Sequence, residues 1–131
     1  MDSSIRTSPT GRWEEIAARP EEEIDLAEAA LVIAAEEYHG LDIIHYLKRV
    51  DEMAATLKRR MRGDISTPEA IIALNRYLFD ELGFSGNAAD YYDPRNSFLN
   101  EVLDRRLGIP ITLSMVYVEI GQRLGLALRG V

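Results

Sequence analysis

Two hydroxyls, Thr112 and Ser114, stand at the start of an apolar helical pattern, while the chain's two histidines, His39 and His45, lie far ahead of them. Acyl transfer on a serine needs a base within hydrogen-bonding reach and a third group to orient that base. No spacing signals such a convergence. A lone histidine on or between early helices is a surface or capping residue, and Ser114 is better explained as a small residue for packing. The sequence has no cysteine, which removes thiolate nucleophiles, disulfides and zinc sites built on sulfur. That usage fits a reducing compartment.

The other concentration of polar groups is Phe84-Ser85-Gly86-Asn87-Ala88-Ala89-Asp90-Tyr91-Tyr92-Asp93-Pro94-Arg95-Asn96, which mixes turn formers with aromatics. A loop of this kind between two well-patterned helices is where binding surfaces gather. A plainer reading of the same residues has Asp93-Pro94 making a turn, Asn96 capping the next helix, and Tyr91 and Tyr92 anchoring the loop on the core. Asp90 and Asp93 lack the alternating oxygen ligands of a calcium loop, so no metal is expected there. No cofactor is expected either.

Composition narrows the classes further. The 131 residues allow one domain with a real core, and 47% hydrophobic against 28% charged residues is ordinary for a globular protein. The formal net charge of −7 disfavours a nucleic-acid surface. The one dense basic cluster, Lys58-Arg59-Arg60-Met61-Arg62, suits the negative end of a helix dipole. No apolar run approaches the ~20 residues needed to cross a membrane, and the start of the chain is not a signal peptide. The expectation is a soluble cytoplasmic protein.

The elements that must position these residues are helical. Residues 1–11 are small and polar and are expected to form a mobile arm, with residues 13–18 as a short helical turn and residues 1–19 outside the domain. A helix is expected from Pro20, with Glu21, Glu22 and Glu23 at its positive end and Ile24, Ala27, Leu31, Ala34 and Ala35 on its buried face; His39-Gly40 ends it. Asp42 is a plausible cap for apolar positions that run from Ile43 to Leu57, as one helix or as two broken near Asp51. Ser66-Thr67-Pro68-Glu69 is a strong start signal for a helix through Leu82, with Gly83 as its left-handed C-cap. Residues 97–106 bury Phe98, Leu99, Val102 and Leu103 in a further helix, which Leu107-Gly108 closes.

The last helix, residues 110–124, starts on a proline that suits a first turn. Leu113, Val116, Tyr117, Ile120 and Leu124 follow one helical face. Ser114, Val118, Gly121 and Gly125 form a second, small-residue face. Thr112, Glu119, Gln122 and Arg123 remain as a narrow polar stripe, with Glu119 and Arg123 placed for an i, i+4 ion pair. A helix covered on most sides is expected to be the central element.

Three runs together carry a resemblance: Leu78-Phe79-Asp80-Glu81-Leu82-Gly83-Phe84-Ser85-Gly86-Asn87; Asp90-Tyr91-Tyr92-Asp93-Pro94-Arg95-Asn96-Ser97-Phe98-Leu99-Asn100-Glu101-Val102-Leu103; and Arg106-Leu107-Gly108-Ile109-Pro110-Ile111-Thr112-Leu113-Ser114. Their combined wording resembles the bacterial transglutaminase-like proteins known as Sir-B-type invasion regulators. The match is close from about residue 70 onward and looser over residues 22–62. What the resemblance implies is the helical half of a papain-like, transglutaminase-like α+β fold, mainly α. In active members a cysteine lies at the N-terminus of the central helix, where the dipole favours thiolate, and later strands supply histidine and an acid. By that comparison the cysteine's place falls near Pro110 or Ile111, neither of which is a nucleophile. Leu128-Arg129-Gly130-Val131 resembles the first strand of the sheet, so the family comparison suggests residues 20–131 as the helical N-terminal domain of a longer protein, truncated before its β-sheet. A strand without its neighbours seeks a partner, and a second copy of the chain is one.

The resulting expectation is a non-catalytic transglutaminase-like domain that binds a protein or peptide. Its groove would be bordered by Asn87, Asp90, Tyr91, Tyr92 and Asn96, with Thr112 and Ser114 at the helix start. Alanine at Tyr92 and Asn96 is expected to weaken such binding and leave the fold intact. Two alternatives are a hydrolase or acyltransferase completed by residues beyond Val131, with Ser114 as nucleophile, and a helical structural adaptor.

Overall fold

The computed structural model describes Glu14, Glu15, Ala18 and residues 25–126. The N-terminal arm, most of the turn at residues 13–18, the acidic start at Glu21, Glu22 and Glu23, and the strand at Leu128 to Val131 lie outside the described residues. Within them the protein is mainly α, with five α-helices and one very short parallel strand pair.

Helix α1 is Leu26–Glu37. Its cap is Asp25, whose Oδ1 accepts from the amides of Ala27 and Glu28 at 2.9 and 3.2 Å. Ala27, Leu31, Ala34 and Ala35 are buried as their spacing predicts, and Gly40, at φ +79°, lets the chain reverse after the helix. Helix α2, Ile43–Arg60, is one uninterrupted helix capped by Asp42. Asp51 does not break it, because its side chain points outward and pairs with Arg123 at 2.6 Å. Lys58, Arg59 and Arg60 occupy the last turn, where positive charge meets the helix's negative end.

Helix α3, Thr67–Asn75, opens on a reciprocal capping box between Ser66 and Glu69. From Arg76 to Glu81 the helix widens into a π-helical turn, where a single α-helix was expected. The wider turn admits an extra residue, so neighbours Tyr77 and Leu78 are both buried while Phe79 is left partly exposed, stacked on Tyr117. Gly83 ends this element at φ +78°.

The segment that follows reads in sequence as a loop of turn formers and aromatics, and it holds half of a sheet. Strand β1, Ser85–Gly86, pairs in parallel with β2, Leu107–Gly108, with Ser85 opposite Leu107 and Gly86 opposite Gly108. Two residues are too short to show alternation, which is why no strand pattern is visible in sequence. Between the strands lie a 3-10 turn, Pro94–Ser97, and helix α4, Leu99–Arg105. Asp93, not Asn96, supplies the cap: its Oδ1 accepts from the Arg95 amide at 3.0 Å, and Phe98 at the head of α4 provides no side-chain cap. Arg106 takes the left-handed conformation at φ 59° to turn the chain into β2.

Helix α5, Pro110–Arg123, is the centre of the fold, packed against α1, α2, α3, α4 and both strands. Its Val116 and Ile120 join Leu31, Val50, Leu57, Leu74, Leu78, Leu99, Val102 and Leu103 in one core. Two members of the expected polar stripe, Thr112 and Glu119, are instead buried. Ser114, expected to serve packing, is exposed, although Val118 and Gly121 of the same small-residue face are buried. No helix among the described residues is long and apolar enough to cross a membrane.

Candidate functional site

The loop between β1 and the 3-10 turn is built on two interior amides. Asn87 continues from β1, its backbone amide donating to the Gly108 carbonyl at 3.0 Å, and its side chain turns inward. Nδ2 of Asn87 donates to Oδ1 of Asn96 at 3.1 Å, while Oδ1 of Asn87 accepts from the Asp90 amide at 3.1 Å. Asn96 uses its own Nδ2 to reach the carbonyls of Asp90 and Tyr91 at 2.9 and 3.0 Å. Buried amides whose donors and acceptors are all engaged fix a loop more tightly than apolar contact does, because each alternative geometry leaves a polar group dry.

The same knot fastens the loop to the start of α5. The Thr112 hydroxyl donates to the Asn96 carbonyl at 2.9 Å and accepts from the Ile109 amide at 3.1 Å. Gly108 leaves room for it: a Cβ at that position would lie 2.7 Å from Oγ1 of Thr112 and 3.2 Å from Val102.

Of the residues expected at a groove, Asn87, Asn96 and Thr112 are therefore interior, and Asp90, Tyr91, Tyr92 and Ser114 face solvent. Tyr91 and Tyr92 do not anchor the loop on the core. They are 54% and 89% exposed, with their rings edge to face at 5.2 Å. Beyond the knot, Pro110 is exposed and Ile111 is 64% exposed. The loop's far side is held by Asp93, which pairs with Arg95 at 2.6 Å and lies 3.6 Å from Arg105. Hydrogen bonds from Arg95, side chain first and then amide, hold the Asp93 carboxyl down at about 2.

His39 and His45 are exposed, one in the turn after α1 and the other in the first turn of α2, and no hydrogen bond joins either to Ser114. Among the described residues no group of three or more metal-ligating side chains is poised around a common point.

A second polar cluster was visible in sequence only as the pair Glu119 and Arg123. Arg123 reaches Glu119 at 2.9 Å, Asp51 at 2.6 Å and Asp25 at 3.5 Å, so one guanidinium ties α5 to α2 and to the cap of α1. The partners lie 72 and 98 positions away, and no local pattern announces them. A third set joins α1 and α2 to α4: Tyr46 donates to Asp104 at 2.7 Å, Arg49 pairs with the same carboxylate, and Tyr38 donates to Glu101 at 2.9 Å. Burial first, and then the Asp104 hydrogen bond, push the Tyr46 hydroxyl up to about 12.

A central helix opening on a proline, with a fixed loop docked on its first turn, is the frame in which the comparisons with known proteins fall. The family model described as the transglutaminase-like superfamily matches residues 44–131, and the chain belongs to that superfamily. A UPF0162 protein of Xylella fastidiosa is 43% identical over 119 residues, covering 91% of this chain and 42% of that protein. A UPF0162 protein of Pseudomonas aeruginosa is 35% identical over 106 residues, 81% of this chain and 39% of the relative. The F-box only protein 21 of Homo sapiens is 43% identical over 63 residues, 48% of this chain and 10% of that protein. The chain thus spans about two fifths of the length of these two UPF0162 relatives. No solved structure matches.

Proposed function

We propose that this chain is a protein- or peptide-binding module on a transglutaminase-like frame, and that its contact surface is the loop bearing Tyr91 and Tyr92 together with the first turn of α5. The observation that carries this reading is Tyr92, 89% exposed on a loop whose carbonyls are held from within by Asn96. Binding energy at protein interfaces concentrates in a few residues, among which tyrosine is enriched, and one presented by an already ordered loop loses little entropy on association. Ile111 adds apolar surface at the place where the family comparison puts a nucleophile, and neither it nor Pro110 can serve as one. The recurrence of 63 similar residues within a tenth of a much longer protein suits a portable module.

Division of labour within the site follows from burial. Asp90, Tyr91, Tyr92 and Ile111 make contact, and Asn87, Asn96 and Thr112 hold them in place. Selection of a random displayed peptide library on the immobilised chain tests the reading. Selected peptides should bind Tyr92→Ala at least tenfold more weakly while its thermal midpoint stays unchanged. Peptides that bind Tyr92→Ala and the parent chain equally well would remove this surface from the account.

A further inference from the structure

Glu119 lacks a fixed partner for one of its two carboxylate oxygens. Its side chain is 3% exposed; Oε1 accepts from Nη1 of Arg123 at 2.9 Å, and Oε2 meets no fixed donor. The group beside it is another carboxylate, Asp25, the cap of α1, which lies 3.5 Å from Nη2 of the same guanidinium whose Nη1 holds Glu119. The charged groups around Glu119 are Asp25 from α1, Arg123 from α5 itself and, through Arg123, Asp51 from α2. With all three acids ionised, one guanidinium faces three negative charges in a half-dry site. A single proton between two carboxylates removes one of those charges and gives Oε2 its missing partner.

We propose that Glu119 and Asp25 share one proton, and that this proton is a pH-sensitive latch fastening the start of α1 to the C-terminal half of α5. The proton resides on Glu119. Burial first, and then the contact with Asp25, raise its carboxyl from 4.5 to about 7, against the opposing pull of Arg123. Asp25 remains the ionised partner: burial raises it, but the hydrogen bond from Glu119, the amides of α1 and Arg123 together bring it below its ordinary value. Because the folded value of Glu119 lies above its unfolded one, the latch's stabilisation is fully present below the ordinary glutamate range. It is lost as pH rises through about 7. Above that point the first turn of α1 loosens.

Carbon-detected NMR of the side-chain carboxyls in the full chain is the direct test. A Glu119 midpoint near 7 is expected, and a midpoint near 4.5 would overturn the proposal. The parent chain should also lose several degrees of thermal midpoint between pH 6 and pH 9. Glu119→Gln should remove most of that loss, because its amide can donate to Asp25 and still accept from Arg123. Asp25→Asn keeps a capping side chain and should bring the Glu119 midpoint down by a unit or more. Parallel pH profiles for the parent and Glu119→Gln would contradict the latch. Should that variant fail to fold, the carboxyl titration of the parent chain decides alone.

Discussion

Asn87 and Asn96 meet side chain to side chain at 3.1 Å in the interior, nine positions apart, on either side of a loop whose two tyrosines point away from the core. The loop's shape is therefore set by its amides, which leaves its aromatic rings free for contact. Alanine at Asn96 removes the hydrogen bonds to Asn87, Asp90 and Tyr91 and leaves buried groups unpaired. Urea unfolding should register a loss of about 3 kcal/mol. Tyr92→Ala should stay within about 0.5 kcal/mol of the parent chain. Asn96 is thus unsuited to a test of contact that leaves the fold intact, and Tyr92 is suited to it.

Any side chain at Gly108 should destabilise the fold. Gly108→Ala places a methyl 2.7 Å from Oγ1 of Thr112 and 3.2 Å from Val102, so the start of α5 must shift against the loop. A loss of about 1–3 kcal/mol is expected in the same unfolding assay. Thr112→Ala should be non-additive with it, because the double variant relieves the clash that the single one creates.

Ser66 and Glu69 act as a reciprocal pair at the head of α3. Ser66→Ala should cost about 1 kcal/mol of stability. The amide of Glu69 should also exchange with solvent faster, since its acceptor is gone.

Asp93 should keep its charge far into acid. Its carboxyl sits at about 2 because Arg95 donates to it from side chain and backbone. A depressed folded value means that its contribution to the loop is present above the ordinary aspartate range and is lost as pH falls through about 2. A carboxyl NMR titration should give that midpoint for Asp93, and Arg95→Ala should move it back toward 3.8.

The legible part of this fold was its helices, since their caps and periods are local. Asp42, Ser66 and Pro110 announce starts that the structure has, and the central place of α5 follows from its apolar coverage. Interactions that span the chain were not legible. Asp51 could have broken α2 and instead pairs with Arg123; Glu119 belonged by spacing to an outer stripe and is buried beside Asp25. The β1–β2 ladder and the π-helical turn each involve too few residues to leave a period. The loop at residues 84–96 stood out by composition as a place for a binding surface. Which of its residues point inward depends on hydrogen bonds to β2 and α5, which sequence spacing does not contain.

The central claim is that binding occurs on the Tyr91–Tyr92 loop and the first turn of α5. Amide chemical-shift mapping of the isotopically labelled chain, titrated with a peptide from the library selection, tests it most directly. The account predicts that the largest perturbations fall on Asp90 to Asp93 and on Ile111 to Ser114, with the amides of α2 little changed. Perturbations centred on α2 or α3, with the loop silent, would contradict it.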